Sequence, residues 1–154
     1  MESIEEELAG TRIFRHLGPQ QIKSIAELGE EVEFPDGRAL MIEGGLADSF
    51  FLIRDGFVAL QTQSPAGPIT IETLHNGDPV GWSWLVEPYI VYFDAHSRGL
   101  TRAIRFDAAA LRQRCADDPQ LGYELMRSFA SMIVERLHAT RLQLLSIYAR
   151  TATA

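Results

Sequence analysis

The sequence predicts an α+β fold, mainly β: an antiparallel, jelly-roll-like β-roll with N-terminal helices and a long C-terminal dimerisation helix. Three observations predict it. Apolar residues recur at helical spacing up to residue 29, the period changes to two from Glu30, and helical composition returns after Asp107. Gly, Pro, Asp and Asn punctuate the middle stretch, whereas Gly122 is the only glycine beyond residue 107. The final segment then runs from Pro119 to Tyr148 with no proline after its first position and no glycine after Gly122.

Taken in order, Ile4 and Leu8 are four apart and Ile22, Ile25 and Leu28 form a narrow stripe, which gives two short helices. Gly18-Pro19 separates them and places a proline where the first turn of the second helix accepts it. Strands are expected at 32–34, 39–42, 50–53, 57–61, 69–74, 89–93 and 100–106. The breaks fall at Pro35-Asp36-Gly37, Gly44-Gly45, Asp55-Gly56, Pro65-Ala66-Gly67-Pro68 and Asn76-Gly77-Asp78. Many short strands joined by glycine turns favour a roll or sandwich over a parallel sheet. A short helix over 108–115 follows, and Asp118 is suited to cap a last helix that has Pro119 at its first position.

That last helix has about thirty residues at ~1.5 Å each, roughly 45 Å in all, too long for one small domain to cover. It is expected to project and to need a partner. Met126, Ala130, Ile133, Leu137, Thr140, Leu144 and Ile147 follow alternating steps of four and three, the spacing of a two-stranded seam, and only Thr140 is polar. Leu121, Leu125, Phe129 and Met132 form a second stripe suited to packing on the roll. The expected organisation is one domain over residues 1–154, with helices in 1–29, the roll in 30–107 and helices in 108–150, paired as a homodimer through the last helix.

The 154 residues carry 14 basic and 21 acidic side chains, a net charge of −7, which argues against a domain whose main work is holding nucleic acid. No run approaches the ~18 apolar residues that span a bilayer, so no membrane segment is expected. The amino terminus is acidic where an export signal is basic, so the cytoplasm is the expected compartment. Cys115, the only cysteine, reads as a buried structural thiol. His16, His75, His96 and His138 fall on four separate elements without metal-ligand spacing. No nucleophile or phosphate-loop motif accompanies them, so neither a metal site nor an enzyme is expected.

Gly44, Ala47, the run Phe50-Phe51-Leu52-Ile53 and Gly56 stand at a spacing that resembles the strand–turn–strand of the cyclic-nucleotide-binding domain of the CRP/FNR sensors. Gly37 matches an earlier turn glycine of that family. Asn76-Gly77-Asp78-Pro79-Val80-Gly81 resembles the opening of its phosphate-binding cassette, and Arg136-Leu137-His138-Ala139-Thr140 resembles its dimer helix. The resemblance covers nearly the whole chain and implies a sensor or regulatory domain. Full regulators of the family continue beyond the long helix with a helix-turn-helix module, whereas this sequence ends at Ala154. A stand-alone domain without direct DNA binding is therefore expected, partnered by a second copy and by a regulatory protein.

The site residues depart from the family pattern. Ligand-binding members carry a glutamate after the cassette glycine, which accepts from the ribose hydroxyl, and an arginine about a dozen residues on, which pairs with the cyclic phosphate. Here the string is Gly81-Trp82-Ser83-Trp84-Leu85, so Trp82 holds the glutamate position and Trp84 a small-residue position. The arginine position falls among Ile90, Val91, Tyr92 and Phe93, all uncharged, and no Lys or Arg occurs between Arg54 and Arg98. Losing one partner of a buried charge pair costs about 2–5 kcal/mol, so tight binding of cAMP or cGMP, the ligand that the resemblance implies, is not expected. Arg98, Arg141 and the backbone amides after Gly81 are the candidates to replace the missing charge. Thr140 matches the family threonine that reaches the base across the dimer. Trp82, Trp84, Tyr89, Tyr92 and Phe93 either fill the vacated pocket as core or line a pocket for a flat apolar ligand. Two functions stay open: a sensor with a divergent cassette signalling through its dimer helix, and a non-sensing dimeric adaptor with its pocket filled by its own aromatic residues.

Overall fold

The computed structural model describes residues 2–152. Helix α1 (Ile4–Gly10) starts with a capping box, in which the Ser3 hydroxyl accepts from Glu6 N–H and the Glu6 carboxylate accepts from Ser3 N–H. Helix α2 (Pro19–Ala26) begins on its proline, as the Gly18-Pro19 pair predicts. Six strands follow: β1 (Gly29–Phe34), β2 (Ala39–Met41), β3 (Ser49–Ser64), β4 (Gly67–Leu74), β5 (Pro79–Val80) and β6 (Asp94–Asp107). A 3-10 turn (Ser83–Leu85) lies between β5 and β6, and the chain ends in α3 (Ala108–Asp117) and α4 (Pro119–Ala152). The order of two helices, strand-rich roll, short helix and long helix is the one expected.

The sheet is wholly antiparallel and built on the β3–β6 pair, which runs from Ser49↔Asp107 to Gln61↔Asp94. The other edge of β6 takes β1 and then β2, and the other edge of β3 takes β5 and then β4. Two long strands flanked in this way curl into a roll.

Three strand expectations need correction. The segments 50–53 and 57–61 are one strand, because Asp55-Gly56 forms an irregularity within β3 rather than a turn. Gly56 permits this with φ of +109°, and a β-carbon there would sit 2.8 Å from the Leu100 carbonyl oxygen. Residues 89–93 form no strand; their backbone pairs with the 44–47 loop, Ala47 N–H donating to Tyr89 and Val91 N–H to Gly45. The final strand starts at Asp94 instead of Leu100. The short β5 lies in the cassette opening and carries no alternation long enough to read.

One aromatic stack fastens the layers together. Phe50 of β3 is sandwiched between Phe106 of β6 at 4.6 Å and Trp84 of the 3-10 turn at 4.9 Å, both nearly parallel to it. Phe129 of α4 meets Phe50 and Trp84 edge-on, and Phe14 tilts against Phe50 and Phe106. All five rings are fully buried, so N-terminal segment, sheet, cassette and last helix share one core.

Helix α4 divides as its two stripes predict. Asp118 caps it by accepting from Leu121 N–H. Leu121, Leu125 and Phe129 are buried against the roll, with Met132 half-buried beside them. Beyond Arg136 every described side chain of the helix is exposed, leaving Leu137, Leu144, Ile147 and Tyr148 in water. Among the described residues no helix is long and apolar enough to cross a membrane.

Candidate functional site

The cassette starts at Gly81, whose φ is +100° and whose β-carbon, if present, would lie 2.6 Å from Met41 Cε. No other residue fits there without moving Met41. Trp82 follows, half-buried, with its ring 5.4 Å from that of Phe93. Trp84 is 1% exposed and belongs to the core stack, and its indole N–H has no hydrogen-bond partner. Ser83 and Leu85 are half-buried, and Leu85 N–H donates to Trp82 C=O to close the 3-10 turn.

Arg112 of α3 clamps this segment from the other side. Its guanidinium donates to the Trp84 carbonyl at 2.8 Å and lies 4.0 Å over the Tyr89 ring. Tyr89 has φ of +56°, unusual for an aromatic residue, and its carbonyl accepts from Ala47 N–H. Asp94 supports the base of β6 from a nearly buried position. Its carboxylate accepts from Glu43 N–H at 2.8 Å and from Gln63 Nε2 at 3.1 Å, and these bonds, the backbone one first, hold its pKa below the usual aspartate range.

The residues proposed to replace the cassette arginine lie apart from it. Arg98 is exposed and opposite Phe57, five residues along β3 from the Leu52 that pairs with β5. Arg141 and Thr140 are exposed on α4, where the Thr140 hydroxyl donates to the Arg136 carbonyl. Besides Arg112, a second cation reaches the cassette, Arg136 of α4. Its guanidinium carbon lies 5.2 Å from the Trp82 ring centroid, and its Nη1 lies 3.2 Å from the Glu72 carboxylate of β4. Arg136 sits one helical turn before Thr140 on the same face. That spacing to the family-like threonine was the available clue, but a pairing with a residue 64 positions earlier is not written in any local pattern.

Glu72 and Arg136 also line a cavity of about 590 Å3 between the residue 12–16 segment, the Gly77-Asp78-Pro79 turn and α4. None of Gly81–Leu85 lines it. The volume suits a small organic ligand. Arg12 and Glu135 pair at its helical rim, and His16 Nε2 lies 2.8 Å from the Ser128 hydroxyl. Among the described residues no group of three or more His, Cys, Asp or Glu side chains is placed to hold a metal ion. Cys115 is half-buried, and burial, with the Asp118 charge second, pushes its thiol pKa up, which disfavours the nucleophilic thiolate.

Residues 31–118 match the family model described as the cyclic nucleotide-binding domain. A solved structure of a Geobacter metallireducens protein assigned to cyclic nucleotide binding is 32% identical, with a TM-score of 0.79, and the match covers 90% of this chain and all of that one. A CRP-like cAMP-activated global transcriptional regulator of Mycobacterium tuberculosis is 28% identical over 128 residues, 82% of this chain and 57% of the regulator. A cAMP-dependent protein kinase regulatory subunit of Dictyostelium discoideum is 26% identical over 121 residues, 76% of this chain and 37% of the subunit. The chain thus spans little more than half, or less, of the length of these two curated relatives.

Proposed function

The chain belongs to the cyclic nucleotide-binding domain family, which is regulatory rather than catalytic, and from that premise we propose that it is a sensor domain whose reporting element is α4. The observation that carries this reading is Arg136, which extends from α4 to Glu72 on the roll and to Trp82 in the cassette. A ligand seated between roll and helix changes those two contacts. It therefore has different affinities for different helix positions, which is the requirement for shifting a population between them. The exposed stripe through Leu137, Leu144 and Ile147 is where a second copy pairs, so a change in helix position reaches the partner. The ligand class is a cyclic nucleotide bound weakly, because the cassette has neither the glutamate nor the arginine.

A second reading is favoured by Trp84. Its burial in the core stack and the placement of Trp82 between Phe93 and Arg136 supply the aromatic filling of a non-sensing dimeric adaptor. Calorimetric titration with cAMP and cGMP up to millimolar nucleotide, with tryptophan emission followed in parallel, separates the two. Saturable binding below millimolar, with an emission change, supports the sensor, and affinity at about 10 μM or tighter, near −6.8 kcal/mol, would mean that another group replaces the missing arginine. Silence up to millimolar, with the oligomer unchanged, supports the adaptor.

A further inference from the structure

Resting on the sensor reading, we propose that Arg136 is the oxyanion anchor of the cavity between the roll and α4, and that Glu72 is a built-in competitor occupying that anchor until a phosphate-bearing small molecule displaces it.

The argument starts from the sign of charge around the cavity. From Asp55 to Ser97 the chain has no Lys or Arg, so every cation in the wall comes from the helical side: Arg12, Arg127, Arg136 and, when protonated, His16. Arg12 is held by Glu135, and His16 contacts Ser128 and lies 3.6 Å from Glu124. Arg127 makes no ion pair among the described residues and stands as a second positive charge in the wall.

Arg136 is the buried cation of the wall whose hydrogen-bonding capacity is left unfilled. Its side chain is 16% exposed and Nη1 is shut off from solvent. The Glu72 carboxylate at 3.2 Å is close enough to attract it but not aligned to accept, so Nη1 makes no hydrogen bond. A buried guanidinium donor without an acceptor is a costly arrangement in a finished core and an apt one for a ligand that brings its own oxygens. The planar fork suits two oxygens of a phosphate better than the single off-line contact that it now has.

Glu72 is suited to leaving. It lies on β4, 43% exposed, and can turn into water without uncovering the core. The other carboxylates of the wall are already engaged, Glu135 with Arg12 and Asp78 as acceptor from His75 N–H at 2.9 Å. Displacing Glu72 therefore removes one negative charge from the cavity just where the incoming phosphate adds its own. Because Arg136 also covers Trp82, a rearrangement at the anchor registers in tryptophan emission.

The test is calorimetry at constant ionic strength on the wild-type protein, Glu72→Gln, Arg136→Gln and Arg136→Lys, with inorganic pyrophosphate, cAMP and phosphate-free adenosine as probes. We expect Glu72→Gln to bind pyrophosphate and cAMP about tenfold more tightly, or about 1.4 kcal/mol, with adenosine unchanged. Arg136→Gln should lose the anionic probes, and Arg136→Lys, which keeps the charge without the fork, should recover only part of the affinity. Equal affinities for pyrophosphate in wild type, Glu72→Gln and Arg136→Gln overturn the proposal. Nucleotide binding indifferent to both residues removes the anchor while leaving the sensor reading intact. Anion binding that follows both residues without moving tryptophan emission supports the anchor and removes the sensor reading. A preference for cAMP over pyrophosphate in Glu72→Gln identifies a nucleotide rather than a simple phosphate as the better occupant.

Discussion

Trp84 gives the sharpest test of how the cassette is built. Its ring stacks on Phe50 at 4.9 Å and takes the edge of Phe129 at 5.3 Å, while its indole N–H is buried without a partner. Truncation to alanine removes a fully buried aromatic side chain from the centre of the core, which costs about 3–5 kcal/mol. Trp84→Phe is different. The phenyl ring keeps the stack, and the gap that it leaves costs about 1 kcal/mol for every 40 Å3 at ~24 cal/mol per Å3. Against that loss, the substitution removes an unpaired buried donor, which carries a penalty of about 1–3 kcal/mol. The two effects nearly cancel, so Trp84→Phe should lie within about 1 kcal/mol of wild type. Urea unfolding followed by far-ultraviolet circular dichroism measures both variants, at one fixed protein concentration because association adds to apparent stability. A Trp84→Phe variant as damaged as Trp84→Ala would refute the orphan-donor argument. A Trp84→Ala variant less than about 1 kcal/mol below wild type would show that the ring is not part of the core.

Three other outcomes follow from contacts described above. Arg112→Ala loses a charge-assisted bond to the Trp84 carbonyl and the stacking on Tyr89, and is expected to lower stability by about 2–3 kcal/mol in the same urea assay; no change would mean that the clamp is idle. For Asp94, whose pKa is lower folded than unfolded, the stabilisation is complete above the ordinary aspartate pKa and is lost as pH falls through the folded value. The stability gap between wild type and Asp94→Asn should thus be level at neutral pH and close below about pH 4; a gap that widens on acidification contradicts the sign. Leu137→Asp changes a side chain that is 60% exposed, so it should leave the fold intact while sedimentation shows a shift to monomer; an unchanged oligomer would remove the helix seam.

What the sequence made legible was whatever repeats locally. The period change at Glu30, the Asp118-Pro119 helix start and the Leu121, Leu125, Phe129 stripe each encode their outcome within a few residues. The misreadings occur where one local pattern serves two structures. Asp55-Gly56 has turn composition, yet the hydrogen bonds of β6 continue past it and make it an irregularity inside a strand. Residues 89–93 are a short apolar, β-branched and aromatic run like that of a strand, but the backbone groups that satisfy them belong to a loop rather than to a ladder. The site was half legible for the same reason. The absence of a cassette arginine can be counted along the chain, while the arrival of Arg136 beside Glu72 depends on how α4 is laid across the roll.

The unequal division of α4 sets the mechanical gain of the molecule. Its grip on the roll ends near Arg136, and the 16 residues from Leu137 to Ala152 extend about 24 Å past that fulcrum at ~1.5 Å per residue. A tilt of about 10° there sweeps the projecting end through about 4 Å, close to the roughly 5–6 Å spacing between neighbouring side chains on a helix surface. In the dimer proposed above, this projecting arm is long enough to turn a small adjustment at its pivot into a mismatch between facing side chains at its far end.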